Sequence, residues 1–285
     1  MSPTVGRVFL PGSALGAWVT GIDLAAPIHE ADFATLHAAI LEHLVLVFPG
    51  QEMTEADHLR FSELWGTLPL RHRYGTRREK AVGHKSVMLV SNIREDGVPI
   101  GSLPDGEMMF HSDGSYDALP YKYTLLFAVE IPSVGGNTLF ANMYTAFDTL
   151  SHELKARLAD CHGRQLYYSG TMQKDQPAGE INGTAVHPLF IAHDETGRTA
   201  IYISRLITDA IVELPGGESD AVLARLFDHC ERHELIYEHA WRPGDFLMWD
   251  NRCVTHGRRD FPRTERRLLR RTVVQGPAPR AAKAS

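Results

Sequence analysis

The sequence predicts a mainly β protein with flanking helices, folded around a closed or sandwiched β core. Two observations carry this. Short β-rich runs recur along the chain with Gly, Pro and Asx turns between them, and only a few stretches show helical periodicity. A third is an absence: no Gly-rich phosphate loop follows a strand and opens a helix, and no Gly-x-Ser-x-Gly occurs.

Taken in order, residues 5–24 alternate loosely around Gly6, Gly12, Gly16 and Gly21 and read as short strands joined by turns. Phe33, Leu36, Ile40, Leu41 and Leu44 mark one face of a helix. Residues 44–48, LVLVF, are a buried strand ended by Pro49-Gly50. Thr54 with Asp57 resembles a capping box opening a helix through Phe61, Leu64 and Trp65. Residues 71–85 are basic and aperiodic, a solvated loop or a flap that attracts an anion. Residues 87–91, 108–113, 121–131 and 138–141 read as strands, and Thr145 with Asp148 as the cap of a helix carrying Leu150, Leu154 and Leu158. Residues 169–186 are polar and Gly-rich, a second loop or lid. Residues 186–192 and 199–204 form a hairpin around Asp194-Glu195-Thr196-Gly197. Leu223, Leu226, Phe227 and Cys230 define a helix face, and four late strands cover 236–241, 246–249, 253–256 and 267–274. The reading is one domain over residues 1–276, with lids near 71–85 and 165–185 and a disordered Pro/Ala/Lys-rich tail at 277–285.

The 285 residues, 44% apolar and 22% charged, are a soluble globular composition with ample length for a core. A net charge of −6 argues against a nucleic-acid partner. No apolar run approaches the ~20 residues of a membrane helix, and no secretion signal is evident at the N-terminus. Cys161, Cys230 and Cys253 are odd in number and lack a zinc spacing, which suits a reducing, cytoplasmic setting.

Chemistry concentrates in residues 108–116, MMFHSDGSY. On a strand, His111 and Asp113 face the same way and could grip one metal ion. Two other His-x-acid triplets fit less well: His193-Asp194-Glu195 runs into a turn, and His229-Cys230-Glu231 lies in a helical pattern. The best third ligand is His256, in WDNRCVTHG. Two His and one carboxylate leave the opposite positions of a metal open, as non-haem Fe(II) oxygen chemistry requires. A second clue is RRLLRRTVV, residues 266–274. Arg267, Leu269 and Arg271 share one strand face, and Arg266, Leu268 and Arg270 the other. A core-facing Arg needs an anion, either a structural acid or a bound carboxylate.

From about residue 8 to residue 276 the chain resembles the taurine dioxygenase and 2,4-dichlorophenoxyacetate dioxygenase family. The resemblance rests on His111-x-Asp113, Gly135-Gly136-Asn137-Thr138, Trp249-Asp250-Asn251-Arg252, His256, and Arg267 with Arg271, in that order. It implies a double-stranded β-helix (jelly-roll) barrel. It also implies an Fe(II)- and 2-oxoglutarate-dependent dioxygenase that uses O2 to hydroxylate an aliphatic C–H of a small organic acid, releasing succinate and CO2. By that likeness His111, Asp113 and His256 hold the iron, Thr138 and Arg267 bind the far carboxylate of 2-oxoglutarate, and Arg271 meets the anionic group of the substrate. His72 falls, by a loose alignment, where some members place a substrate-binding His. Family members often associate, so a homo-oligomer is expected. Phe110 departs from the aromatic, commonly Trp, that often precedes the first His. HSDGSY is closer to the herbicide-degrading branch, which favours a carboxylate such as an aryloxyalkanoate over a sulfonate. Two other readings stay open: a zinc hydrolase with the same triad, and a non-catalytic barrel that binds a small acid.

Overall fold

A computed structural model describes residues 3–7, 15–70, 84–103 and 105–283. Among these, the longest sheet has seven strands, in the order Thr4–Arg7, Ala17–Thr20, Val45–Phe48, Phe246–Asp250, Tyr121–Glu130, Leu268–Gln275 and Met88–Ser91. A four-stranded sheet runs Ile236–His239, Thr138–Asn142, Val254–Arg258, Met108–His111. Every pairing in the two sheets is antiparallel except that of Ala17–Thr20 with Val45–Phe48.

Strand alternation sorts the core into two layers. Leu46 and Phe48 point to one side of the long sheet and pack with Leu125, Phe246 and Met248 against Leu36, Ile40, Phe61 and Trp65. Those last four come from or adjoin helices Glu30–His43 and Glu55–Glu63. Val45 and Val47 point the other way, where Leu126, Leu247, Trp249 and Leu269 pack with Phe140 and Val254 of the four-stranded sheet. The strand at 45–48 is apolar throughout because both its faces are covered. The helix Glu55–Glu63 opens on the expected capping box, with Thr54 and Asp57 bonded reciprocally.

The strand of residues 108–113 is shorter than expected. It ends at His111, and Asp113 sits in the following turn, closed by Ser115 N–H to the Ser112 carbonyl at 3.3 Å. Gly114 lies there at φ +72°, and a Cβ on it would press to 2.8 Å from the Tyr121 ring. The expected Thr145 cap is also corrected. Asn142 caps Met143–Asp148 and Ser151 caps His152–Leu158, each accepting from backbone N–H groups, so Thr145 lies inside a helix.

The expected lid at 165–185 is sheet only at its two ends, and residues 169–180 carry no strand. His162–Tyr168 pairs with Ile181–Pro188 on one side and Thr208–Ile211 on the other. The 190s hairpin is Phe190–Ala192 with Thr199–Ile201, so residues 186–188 belong to the neighbouring sheet. The tail is not disordered throughout: Arg280–Ala281 adds a third strand to that hairpin. The other lid, residues 71–85, lies outside the described residues up to position 83, and His72 with it. The three cysteines are free and buried. Among the described residues no helix is long and apolar enough to cross a membrane.

Candidate active site

His111 and His256 are register partners across the four-stranded sheet. Their rings face each other with centroids 4.1 Å apart. The turn after His111 brings Asp113 between them: Oδ1 is 3.9 Å from His111 Nε2, and Oδ2 is 3.9 Å from His256 Nε2. All three side chains are buried. Two metal–ligand bonds of about 2.1 Å span up to about 4.2 Å, so this trio can close on one ion with little movement.

The protonation states suit a metal. His111 Nδ1 lies 3.0 Å from the Met109 carbonyl, which can only accept, so Nδ1 carries the hydrogen and Nε2 keeps its lone pair. Burial holds the His111 imidazole below its ordinary value. Burial, then the neighbouring His111, do the same for His256. Burial alone would raise the Asp113 carboxyl, but Arg271, the two histidines and the Thr124 hydroxyl hold it below the carboxylate range. Two neutral imidazoles and one ionised carboxylate are a donor set for a divalent cation of the Fe(II) type.

Arg267 lies just before the strand Leu268–Gln275 and is 2% exposed. Among the described residues its Nη2 reaches the Gly136 carbonyl at 3.4 Å, and its buried Nε has no partner. No carboxylate meets it among the described residues. Gly136, at φ +67°, leaves it room, since a Cβ there would stand 3.3 Å from Nε. Burial, then repulsion from Arg258, weakens the hold of this guanidinium on its proton, as expected of a site that lacks an anion. Thr138 is buried and its Oγ1 accepts from Trp241 Nε1 at 2.9 Å. Arg266, on the opposite face, points outward and pairs with Glu130 at 2.7 Å.

Arg271 donates from Nη1 to Asp113 Oδ1 at 2.9 Å. Both line a cleft of about 790 Å³ whose walls include Met108, Tyr116, Tyr121, Tyr167 and Ile207. Tyr116 and Tyr167 stack there with ring centroids 5.0 Å apart.

Residues 8–273 match the family described as taurine catabolism dioxygenase TauD, TfdA family. The chain belongs to this family. It is an Fe(II)- and 2-oxoglutarate-dependent dioxygenase. Pentalenolactone F synthase of Streptomyces avermitilis is 36% identical, over 96% of this chain and 95% of that one. The (S)-phenoxypropionate/alpha-ketoglutarate-dioxygenase of Sphingobium herbicidovorans is 34% identical, over 93% of each. The crystal structure of AAD-2 in complex with Mn(II) and N-oxalylglycine has a TM-score of 0.80 and 26% identity, covering 98% of this chain and 99% of that one.

This TauD/TfdA family member has a second cluster of the same residue types. His193, Asp250 and Cys253 also gather at ligand distances and are buried. Arg252 closes that cluster from within. It bonds both Asp250 oxygens, Asp194, Glu195 at 3.0 Å and the Tyr123 hydroxyl at 3.2 Å. His193 Nε2 is 3.0 Å from Asp250, and Lys122 meets Glu195 at 2.6 Å. Its charges are matched, so the cluster is a structural knot pinning the 190s hairpin to the turn before His256. Reading residues alone missed this role for His193, Asp194 and Glu195. The signal was the proximity of Asp194 and Glu195 to Trp249-Asp250-Asn251-Arg252, which only the fold supplies.

Proposed function

We propose that the chain hydroxylates an aliphatic C–H bond of a small organic carboxylate, converting 2-oxoglutarate and O2 to succinate and CO2. Fe(II), held by His111, Asp113 and His256, supplies with these co-substrates the oxidation itself, one oxygen atom ending in the product and the other in succinate. Arg267 and Thr138 receive the far carboxylate of 2-oxoglutarate; the observation that carries this is a buried guanidinium with an unpartnered Nε. Trp241 keeps the Thr138 oxygen turned to one side, leaving its hydroxyl hydrogen for the carboxylate.

Arg271 orients the substrate anion at the cleft floor, while the Tyr116–Tyr167 stack and Ile207 shield its apolar body from water. His72 remains a candidate contact for the same anion. The two facing sheets, with a histidine ligand on each of two paired strands, are in keeping with a double-stranded β-helix whose mouth is this cleft. A zinc hydrolase would leave Arg267 and Thr138 without a task.

The tyrosine-lined cleft and the phenoxypropionate relative favour an aryloxyalkanoate or another hydrophobic acid. The test is a screen of small carboxylates and sulfonates for substrate-stimulated succinate in the Fe(II)-loaded enzyme. Stimulation by hydrophobic carboxylates is expected. Stimulation by taurine-like sulfonates alone would reverse the substrate assignment, and no succinate under any condition would remove the function.

A further inference from the structure

Asp113 does not reach the cleft unsupported. Its Oδ2 accepts from Thr124 Oγ1 at 2.7 Å. Thr124 Oγ1 accepts from Asn251 Nδ2 at 2.9 Å, and Asn251 Oδ1 accepts from Trp249 Nε1 at 3.1 Å. All four side chains are buried. The direction of this chain is fixed at both ends, because an indole N–H can only donate and an ionised carboxylate can only accept. Each link therefore has one orientation: the Asn251 oxygen toward Trp249, its amide hydrogens toward Thr124, and the single hydroxyl hydrogen of Thr124 toward Asp113. The backbone locks the same turn, with Ser112 Oγ donating to the Asn251 carbonyl at 2.8 Å and Asn251 N–H to the Lys122 carbonyl at 2.9 Å.

Arg271 holds the other carboxylate oxygen, so both oxygens of Asp113 are pinned and its plane cannot turn. We propose that Thr124 is a positioning residue for the metal: its hydroxyl fixes the rotation of the Asp113 carboxylate between His111 and His256, and Asn251 and Trp249 keep that hydroxyl aimed. This rests on the reading of Asp113 as a metal ligand. It gives Trp249 and Asn251 a shared task distinct from that of Asp250 and Arg252. Hydrogen-bond partners behind metal ligands characteristically alter metal affinity by about 10- to 100-fold.

The test is binding of Co(II), an absorbing stand-in for Fe(II), to the metal-free full chain, read from its visible bands, with the melting temperature of the metal-free protein beside it. Thr124→Val should bind Co(II) about 10- to 100-fold more weakly, and Thr124→Ser, which keeps the hydroxyl, should stay close to the unsubstituted protein. Should the Val protein not fold, Thr124→Cys, with its weaker donor, should fall between the two. Unchanged affinity in the Val or Cys protein would overturn the proposal. So would a Ser protein as weak as the Val protein, since the effect would then belong to the methyl group. An Asp113→Ala control separates the two claims. If that protein still binds Co(II) normally, the ligand assignment itself fails; if it loses Co(II) while Thr124→Val keeps it, only the role of Thr124 fails.

Discussion

Two buried polar clusters among the described residues share His and Asp side chains and differ in how their charges are matched. Around Asp250, every charge has an opposite charge within bonding distance, supplied by Arg252, Asp194, Glu195 and Lys122. Around Asp113 the protein leaves gaps. Among the described residues Arg267 Nε is buried without a partner, and His111 and Asp113 border an open cleft. A cluster that satisfies itself stabilises the fold. One that does not has kept its donors and its charge for something that arrives later. Proximity of His, Asp and Cys alone does not separate the two; the accounting of partners does.

The sharpest way to break this contrast is to remove one arginine from each side. Arg252→Met should cost about 3–5 kcal/mol of stability in denaturant unfolding, because it strands the buried Asp250 carboxylate. Arg267→Met, measured without 2-oxoglutarate, should be neutral or stabilising, because it removes a buried charge that has no partner. Equal losses in both proteins would erase the distinction. The same Arg267→Met protein should bind 2-oxoglutarate more weakly by roughly 10- to 100-fold in anaerobic titration, the worth of charge-assisted bonds at about 1.5–3 kcal/mol.

His58 gives a smaller, independent measure of what an unmatched buried group costs. It sits behind the long sheet with Nε2 3.0 Å from the Thr272 hydroxyl, and burial, then Arg270, push its pKa down to about 3. The unfolded imidazole takes a proton near 6.5, while the folded one does not until about 3. The stability this neutral His allows is therefore present above pH 6.5 and is lost progressively as pH falls toward 3, at up to about 1.4 kcal/mol per unit. Unfolding at pH 7.5, 6 and 5 should show His58→Gln losing less than the unsubstituted protein over that interval. Parallel slopes would mean that His58 is protonated in the native state.

Much of this was legible in the residues. The four late strands, the buried 45–48 strand and the Thr54 capping box follow from local pattern, because each is decided by a short apolar run, by apolar alternation or by a bond spanning three residues. His111, Asp113 and His256 could be nominated by chemistry, but the geometry differs: Asp113 is presented by a turn, not by strand alternation. The sheet of His162–Tyr168 and Ile181–Pro188, which frames the expected lid, is not legible from local pattern. Its outer strand is mostly exposed and carries Gly183 and Asn182, so it lacks the one-sided apolar signal. The short strand at Arg280–Ala281 is polar for the same reason and exists only because a hairpin edge is there to receive it. The tasks of Thr124 and Asn251 were invisible. Both depend on the Thr124–Asn251 bond, which joins distant parts of the chain, and one buried hydroxyl in a strand has no sequence signature.

The central claim is that the gaps around Asp113 and Arg267 are shaped for one metal ion and one dicarboxylate together. Anaerobic addition of Fe(II) and 2-oxoglutarate to the metal-free protein, followed by visible absorption, tests it most directly. The account predicts a charge-transfer band that needs both additions, disappears in Asp113→Ala, and requires more 2-oxoglutarate in Arg267→Met. No band in the unsubstituted protein, or an undiminished band in Asp113→Ala, would contradict it.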